Sequence, residues 1–362
     1  MLVEQLELVD FRNYQHATFD LTAGITCVIG QNGQGKTNLA EALAYLSGLS
    51  SFRQVPADAL VRVGADQAII RAHIIDDDGR TSLIEVEITR TGRGRVQVNR
   101  QRLQRTRDLL GTVRTSVFSP DDLTLVKGGP GERRRFLDDA LVALATKNDA
   151  LRLEVDRVLK QRNTLLRQAS GRLDADAAIT LDVWDTRLVE VGERLGHGRH
   201  VLVDRLQPFV AEAYVQLAGG EHEVSLTYDP PWRQQGLQTA LANARTDDVR
   251  RGVSTVGPHR DELDLTINAL PARTHASQGE QRTLALSLRL GAHRLVTEHV
   301  ASSPVLILDD VLSELDDDRA TALLRELPAG QVLITTASPL PVAAHPDRVL
   351  RIKNGTVVSN ER

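Results

Sequence analysis

Apolar and polar positions alternate from the first residues of the chain. Leu2, Leu6 and Leu8 fall on one side of the pattern, and Val3, Gln5, Glu7 and Val9 on the other. A period of two predicts a strand. The β-branched run Ile25-Thr-Cys-Val-Ile29 ends at Gly30 and predicts a short buried strand. Beyond Lys36 the period changes. Leu39, Leu43 and Leu46 recur at i, i+4 and i+7, one face of a helix. Residues 68–75, 82–88 and 96–98 read as antiparallel strands, with turn chemistry at Asp76–Gly79 and Gly92-Arg93-Gly94. From 131 to 217 the spacing of Leu, Val and Ala is helical, as in Leu151, Val155, Val158 and Leu165-Leu166, and predicts an all-α insert. Strands are predicted at 223–228 and 262–268, and a helix at 278–300. Buried strands at 304–308 and 331–335 flank a helix at 319–326.

The loop between the first buried strand and its helix carries the chemistry. Residues Gly30-Gln31-Asn32-Gly33-Gln34-Gly35-Lys36-Thr37 are a full G-x-x-x-x-G-K-T. Its glycines let backbone N–H groups wrap phosphates without a Cβ in the way. Lys36 is expected on the β- and γ-phosphates of ATP, and Thr37 on Mg²⁺. Far downstream, the apolar run Val305–Leu308 closes on Asp309 and Asp310. That places two carboxylates at the C-terminal end of a buried strand, where nucleotides bind in open α/β sheets. Asp309 is expected to hold Mg²⁺ and Asp310 to orient the attacking water as general base. Ser277-Gln278-Gly279-Glu280-Gln281 fits a helix capping box and also a helix-terminal anion site. Ser313 to Asp316 suits either a turn across an interface or a helix cap.

Charge narrows the picture further. The net charge is −4, so any nucleic-acid binding must come from a local patch. Residues 90–107 hold such a patch: Arg90, Arg93, Arg95, Arg100, Arg102, Arg105 and Arg107, with no acid among them. Arg133-Arg134-Arg135 and the series Arg152, Arg157, Lys160, Arg162 and Arg167 add positive charge, but acids lie close by. No aromatic stacking platform is visible, which favours contact with the duplex backbone. The lone Cys27 excludes an internal disulfide and fits a reducing cytoplasm. No run approaches a membrane span, and no basic n-region of a signal peptide stands at the start. His259, in Gly257-Pro-His-Arg-Asp261, has no assigned role. Trp184 and Trp232 read as packing residues.

The loop, the serine motif and Asp309-Asp310, in this order, resemble an ABC-type ATPase head of the structural-maintenance-of-chromosomes and RecN group. Other stretches are closer to the RecF family of bacterial DNA replication and repair ATPases. These are Asp10-Phe-Arg-Asn-Tyr14, Ser51-Phe-Arg53, Phe118-Ser-Pro-Asp-Asp-Leu123 and Gly131-Glu-Arg-Arg-Arg-Phe-Leu-Asp138. They continue with Gln161-Arg-Asn-Thr-Leu-Leu166, Leu181-Asp-Val-Trp-Asp185 and Gly257–Asp261. The resemblance implies an α/β fold: an ABC-type P-loop ATPase head, with a mixed sheet plus an antiparallel β subdomain, and an all-α inserted lobe. It divides the chain into 1–125 (head), 126–254 (mainly helical insert) and 255–362 (head).

The resemblance also implies an ATP-dependent homodimer. In it, the serine motif of one copy caps the γ-phosphate bound by the other, and Ser313 and Asp316 lie in the dimer loop. Arg12 matches an arginine that reaches nucleotide phosphate. DNA, RecR and RecO are the implied partners, in recombinase loading at gaps. Two departures from the wider superfamily stand out. The base is Asp310 rather than Glu, and a threonine, in Leu333-Ile-Thr-Thr336, replaces a switch histidine. Both point to slow, DNA-stimulated ATP hydrolysis used as a clamp signal. An ABC-type ATPase subunit of another DNA or transport system is the alternative.

Overall fold

The computed structural model describes residues 1–92 and 94–361. The chain forms two compact units. The first comprises 1–122, 213–220 and 286 onwards, and the second 123–212 and 221–285.

The first unit contains two six-stranded sheets. In one, the order is Thr356–Glu361, Arg348–Lys353, Ile25–Ile29, Val332–Thr336, Val305–Asp309, Thr115–Phe118. All neighbours are parallel except the first pair, so the sheet is mixed. The central three strands are short and apolar on both faces, as parallel strands covered on both sides must be. The helix Lys36–Gly48 packs against this sheet with Leu39, Leu43 and Leu46 fully buried. The second sheet is antiparallel, in the order Tyr14–Asp20, Leu2–Phe11, Gln67–Ile75, Thr81–Thr89, Arg95–Val98, Gln101–Arg102.

The first strand departs from simple alternation. Val3 is buried together with Leu6, Leu8 and Phe11. A register shift between Val3 and Gln5 adds one residue and moves the inward set from Val3 to Leu6 and Leu8, and Phe11 turns inward after Asp10, which stands at φ +50°.

The second unit is built on three long helices, Pro130–Leu144, Lys147–Gln168 and Ala175–Ala218, the last of which ends in residues grouped with the first unit. It is not wholly helical. Val224–Thr227, Asp264–Ile267 and Leu270–Pro271 form a three-stranded antiparallel sheet. That sheet joins residues on both sides of the 254/255 boundary expected from sequence. The contacts therefore group 255–285 with the helices rather than with the head.

Several RecF-like stretches meet in this unit. The fully buried Arg162 donates to Asp185 (2.6 Å), Asp248 (2.7 Å) and Ser254 Oγ (2.8 Å). Asn163 Oδ1 accepts from Ser254 N and Oγ, both at 2.7 Å. Buried charges persist only when paired in this way. Trp232 is buried and donates from Nε1 to Asp261 (2.7 Å). His259 Nε2 is 3.0 Å from the Ser254 carbonyl, and burial pushes its pKa down to about 4. Neutral at pH 7, it donates that proton to the carbonyl, so it serves as a packed turn residue here.

Candidate functional site

The loop 30–37 joins the strand Ile25–Ile29 to the helix that begins at Lys36. Gly35 stands at φ +118°, and a Cβ there would lie 2.7 Å from Tyr14 Oη. At Gly30, a Cβ would lie 2.6 Å from the Ile352 carbonyl oxygen. Both positions thus exclude any side chain. Gln34 is held at its backbone carbonyl by Asn13 Nδ2 and Gly355 N, both at 3.0 Å, and at its side chain by Asn354 N. Gln31, Asn32 and Gly33 are exposed, leaving the crest of the loop open.

Lys36 folds back over this loop and donates from Nζ to the Gln31 carbonyl oxygen at 3.1 Å. Burial pushes its pKa down, and Asp310 and Asp309 oppose that shift. The ammonium is held near carboxylates but bonded to a carbonyl, ready for an anion.

Both acids sit on the same edge because the strands are parallel. The strand Val332–Thr336 lies between the loop strand and the acidic strand, and Thr335 is in register with Asp309 and Val28. Thr335 Oγ1 donates to Asp309 Oδ1 at 2.6 Å and accepts from Asp310 N at 3.1 Å. Thr37 adds a second side-chain hydrogen bond to Asp309. Burial nonetheless raises the pKa of Asp309. Asp310 adopts φ +55°, and its Oδ1 is buried with no hydrogen-bond partner. A buried orphan acceptor is costly and calls for a donor from outside the chain.

Thr335 was missed by sequence reasoning. In a short apolar strand it looks like any β-branched residue. Its one signal is a hydroxyl at the end of a buried strand, 26 residues after Asp309.

Arg12 is placed differently from a simple phosphate ligand. Its Nε and Nη2 pair with both oxygens of the fully buried Glu41, each at 2.8 Å, and Nη1 donates to the Ala59 carbonyl (3.0 Å). Ser51 also donates to Glu41. The Asp10–Tyr14 and Ser51–Arg53 stretches thereby lock onto the loop helix.

The serine motif belongs to the second unit. Its capping box is reciprocal: Ser277 N donates to Glu280 Oε2 (2.7 Å), and Glu280 N to Ser277 Oγ (3.3 Å). Gln281 is buried and donates to the Ala272 and Arg273 carbonyls. Ser277 and Gln278 remain exposed, with Gly279 behind them. Ser313 Oγ donates to the Asp310 carbonyl (2.8 Å), and Asp316 caps the helix Asp317–Arg325 through Arg319 N (2.9 Å). Both residues are exposed.

The arginine patch divides. Arg90 is spent on the carbonyls of Ala65, Val61 and Arg62, and Arg95 pairs with Glu87 at 2.7 Å. Arg100, Arg102, Arg105 and Arg107 are exposed along the last strands of the antiparallel sheet and the turn that follows. Arg93 lies outside the described residues.

The RecF/RecN/SMC N terminal domain model matches residues 2–357. The DNA replication and repair protein RecF of Streptomyces avermitilis is 45% identical over 353 residues, covering 93% of this chain and 94% of that protein. Its counterpart from Kineococcus radiotolerans is 40% identical over 397 residues, covering all of both chains. The solved structure of the recombination mediator protein RecF with ATP, of the RecFOR pathway, matches with a TM-score of 0.90. It is 28% identical and covers 99% of this chain and 97% of that one. An Smc head domain from Pyrococcus furiosus, 16% identical with a TM-score of 0.59 over 99% of this chain and 96% of its own, shares the fold. This chain therefore belongs to the RecF/RecN/SMC N-terminal domain family, and within it to the RecF DNA replication and repair proteins.

Proposed function

We propose that this chain is an ATP-dependent DNA-binding protein of recombinational repair and replication-gap processing, working with RecR and RecO. ATP sandwiched in a head-to-tail homodimer closes the protein on DNA, and slow hydrolysis to ADP and phosphate releases it. One observation carries the reading. Lys36, Asp309 and Asp310 meet at the C-terminal ends of adjacent parallel strands, and the Asp310 Oδ1 atom is buried without a partner among the described residues.

In this reading Lys36 exchanges the Gln31 carbonyl for the β- and γ-phosphates, and the loop amides take the remaining oxygens. Thr37 and Asp309 hold Mg²⁺. The donor set fits that ion, which is bound by one or two carboxylates together with substrate phosphates rather than by an all-protein cage. When bound, it neutralises charge on the phosphates. Asp310 orients the attacking water and accepts its proton. The exposed Ser277 terminus serves the nucleotide of the second copy, and Ser313 and Asp316 face that copy. Arg12 shapes the site through Glu41. The setting is the cytoplasm, at the nucleoid.

Thr335 holds both acids, and partners of metal ligands commonly change metal affinity or activity about 10–100-fold when removed. Thr335→Val is expected to raise the Mg²⁺ concentration needed for binding a fluorescent ATP analogue by about that factor. Thr335→Ser should stay near the parent, and binding without Mg²⁺ should be unchanged. Superimposable Mg²⁺ titrations of all three proteins would contradict this role.

DNA is read through its backbone by Arg100, Arg102, Arg105 and Arg107, with Arg93 beside them in sequence. Each phosphate contact contributes about 0.9 to the log–log salt slope. Replacing Arg100, Arg102 and Arg105 by Ala is expected to flatten that slope by about 2–3 and to weaken gapped-duplex binding in ATP. Fluorescence anisotropy at several salt concentrations, in ATP, ADP and no nucleotide, tests both this and the reading as a whole. Binding equal in all three nucleotide states would remove the ATP-dependent clamp.

A further inference from the structure

Two stretches that the nucleotide site does not use, Gly131–Asp138 and Gly257–Asp261, line one cavity of about 260 Å³ in the second unit. Its walls are fixed by buried arginines. Arg133 forks onto Glu262 at 2.7 and 2.9 Å and also holds the Leu125 and Gly128 carbonyls. Arg199 forks onto Asp138 at 2.8 and 2.9 Å and takes the Pro258 carbonyl at 2.7 Å.

Arg134, next to Arg133 in sequence and in the cavity lining with Arg199, has no such fork. Its one hydrogen bond is from Nη1 to the Asp261 carbonyl, 2.8 Å, and no carboxylate pairs with it among the described residues. Burial and the neighbouring Arg199 cation push its pKa down, against the opposing pull of Glu262, Asp261 and Asp138, which lie near it without forking onto it. Arg135 and Arg152 line the same cavity. Among the described residues Arg135 pairs only with Glu132, at 3.9 Å, while Arg152 is neutralised by Asp139 and Asp149. Two acids line the cavity as well: Asp138, which is already forked by Arg199, and Asp156, whose pKa is raised by burial.

We propose that this cavity binds a phosphate group, held by Arg134 and Arg135. Planar guanidiniums suit phosphate because two N–H groups meet two oxygens at once. The volume is just below the roughly 300–1,000 Å³ of pockets for drug-sized molecules, so the ligand is a phosphate with little more than its sugar attached. Free phosphate and the 5′-phosphate end of a DNA strand share this chemistry. His259 lines the cavity as a neutral ring and adds no charge of its own.

The test is run in the Lys36→Ala background, which silences phosphate binding at the nucleotide loop. Inorganic phosphate is titrated by thermal shift, and 5′-phosphorylated and 5′-hydroxyl strands are compared by anisotropy. The phosphorylated strand should bind more tightly, or free phosphate should stabilise the protein. Losing a charge-assisted hydrogen bond, Arg134→Gln should weaken that binding about tenfold or more. Asp156→Asn, which removes a competing charge, should strengthen it, a gain that unfolding cannot mimic. Competition of free phosphate with the phosphorylated strand supports a shared site. A response to the strand alone supports the DNA end, and a response to phosphate alone supports the free ion. No preference for phosphate in any arm, or Arg134→Gln and Asp156→Asn both binding as the parent does, would overturn the proposal. The free-phosphate titration does not depend on ATP or on the closed dimer, so failure of that arm leaves the nucleotide reading standing.

Discussion

Asp310→Asn is expected to lower ATP turnover by about 10²–10⁴-fold, the usual contribution of a positioned general base, with nucleotide affinity near that of the parent. The amide keeps the shape of the carboxylate but cannot take a proton. The backbone also selects this substitution. Asp310 stands at φ +55°, where Asn and Asp are enriched among non-glycine residues and longer side chains are strained. The same constraint gives a physical reason for Asp, rather than Glu, at this position. Asp310→Glu should therefore slow turnover rather than speed it. Phosphate release, measured beside the binding of a labelled ATP analogue, separates the two effects. Parent-like turnover in Asp310→Asn would remove Asp310 from the chemistry.

Arg162→Leu is expected to destabilise the second unit by about 3–5 kcal/mol, the cost of stranding a buried charge by removing its partner. Asp248 is fully buried, and both of its oxygens are engaged, one by Arg162 and the other by Thr255. Without the guanidinium, Asp248 keeps its charge in a dry interior, and Asp185 is left with Arg245, at 3.7 Å. Arg162→Lys should fall between parent and Leu, because an ammonium cannot fork to Asp185, Asp248 and Ser254 together. Urea unfolding followed by circular dichroism checks the order. A Leu variant as stable as the parent would show that the network carries no net stability.

Much of this architecture was legible in the sequence, because the informative residues act locally. The period change at Lys36 marks a strand–loop–helix, and Ile25–Ile29, Val305–Asp309 and Val332–Thr336 are short apolar runs that form adjacent strands. The Ser277–Glu280 capping box forms as its spacing implies.

What the sequence hid depends on pairings across the chain. Arg162 and Asp248 lie 86 residues apart, and nothing in either local pattern joins them. Arg90 and Arg95 read as free charges until the Ala65 carbonyl and Glu87 are brought beside them. For Arg12 the resemblance implied a reach toward nucleotide phosphate, and its pairing with the buried Glu41 on the loop helix was not visible in the sequence. The boundary at 254/255 crosses a sheet whose two longer strands are predicted at 223–228 and 262–268, but nothing in either local pattern shows that they pair with each other.

The central claim is that hydrolysis at the Lys36–Asp309–Asp310 site releases DNA. The most direct measurement is the dissociation rate of a fluorescent gapped duplex from ATP-loaded protein, parent against Asp310→Asn, chased with unlabelled DNA. The account predicts that release slows in step with hydrolysis, so that the variant holds DNA far longer than the parent. Equal release rates from the two proteins, at turnover rates that differ by orders of magnitude, would contradict it.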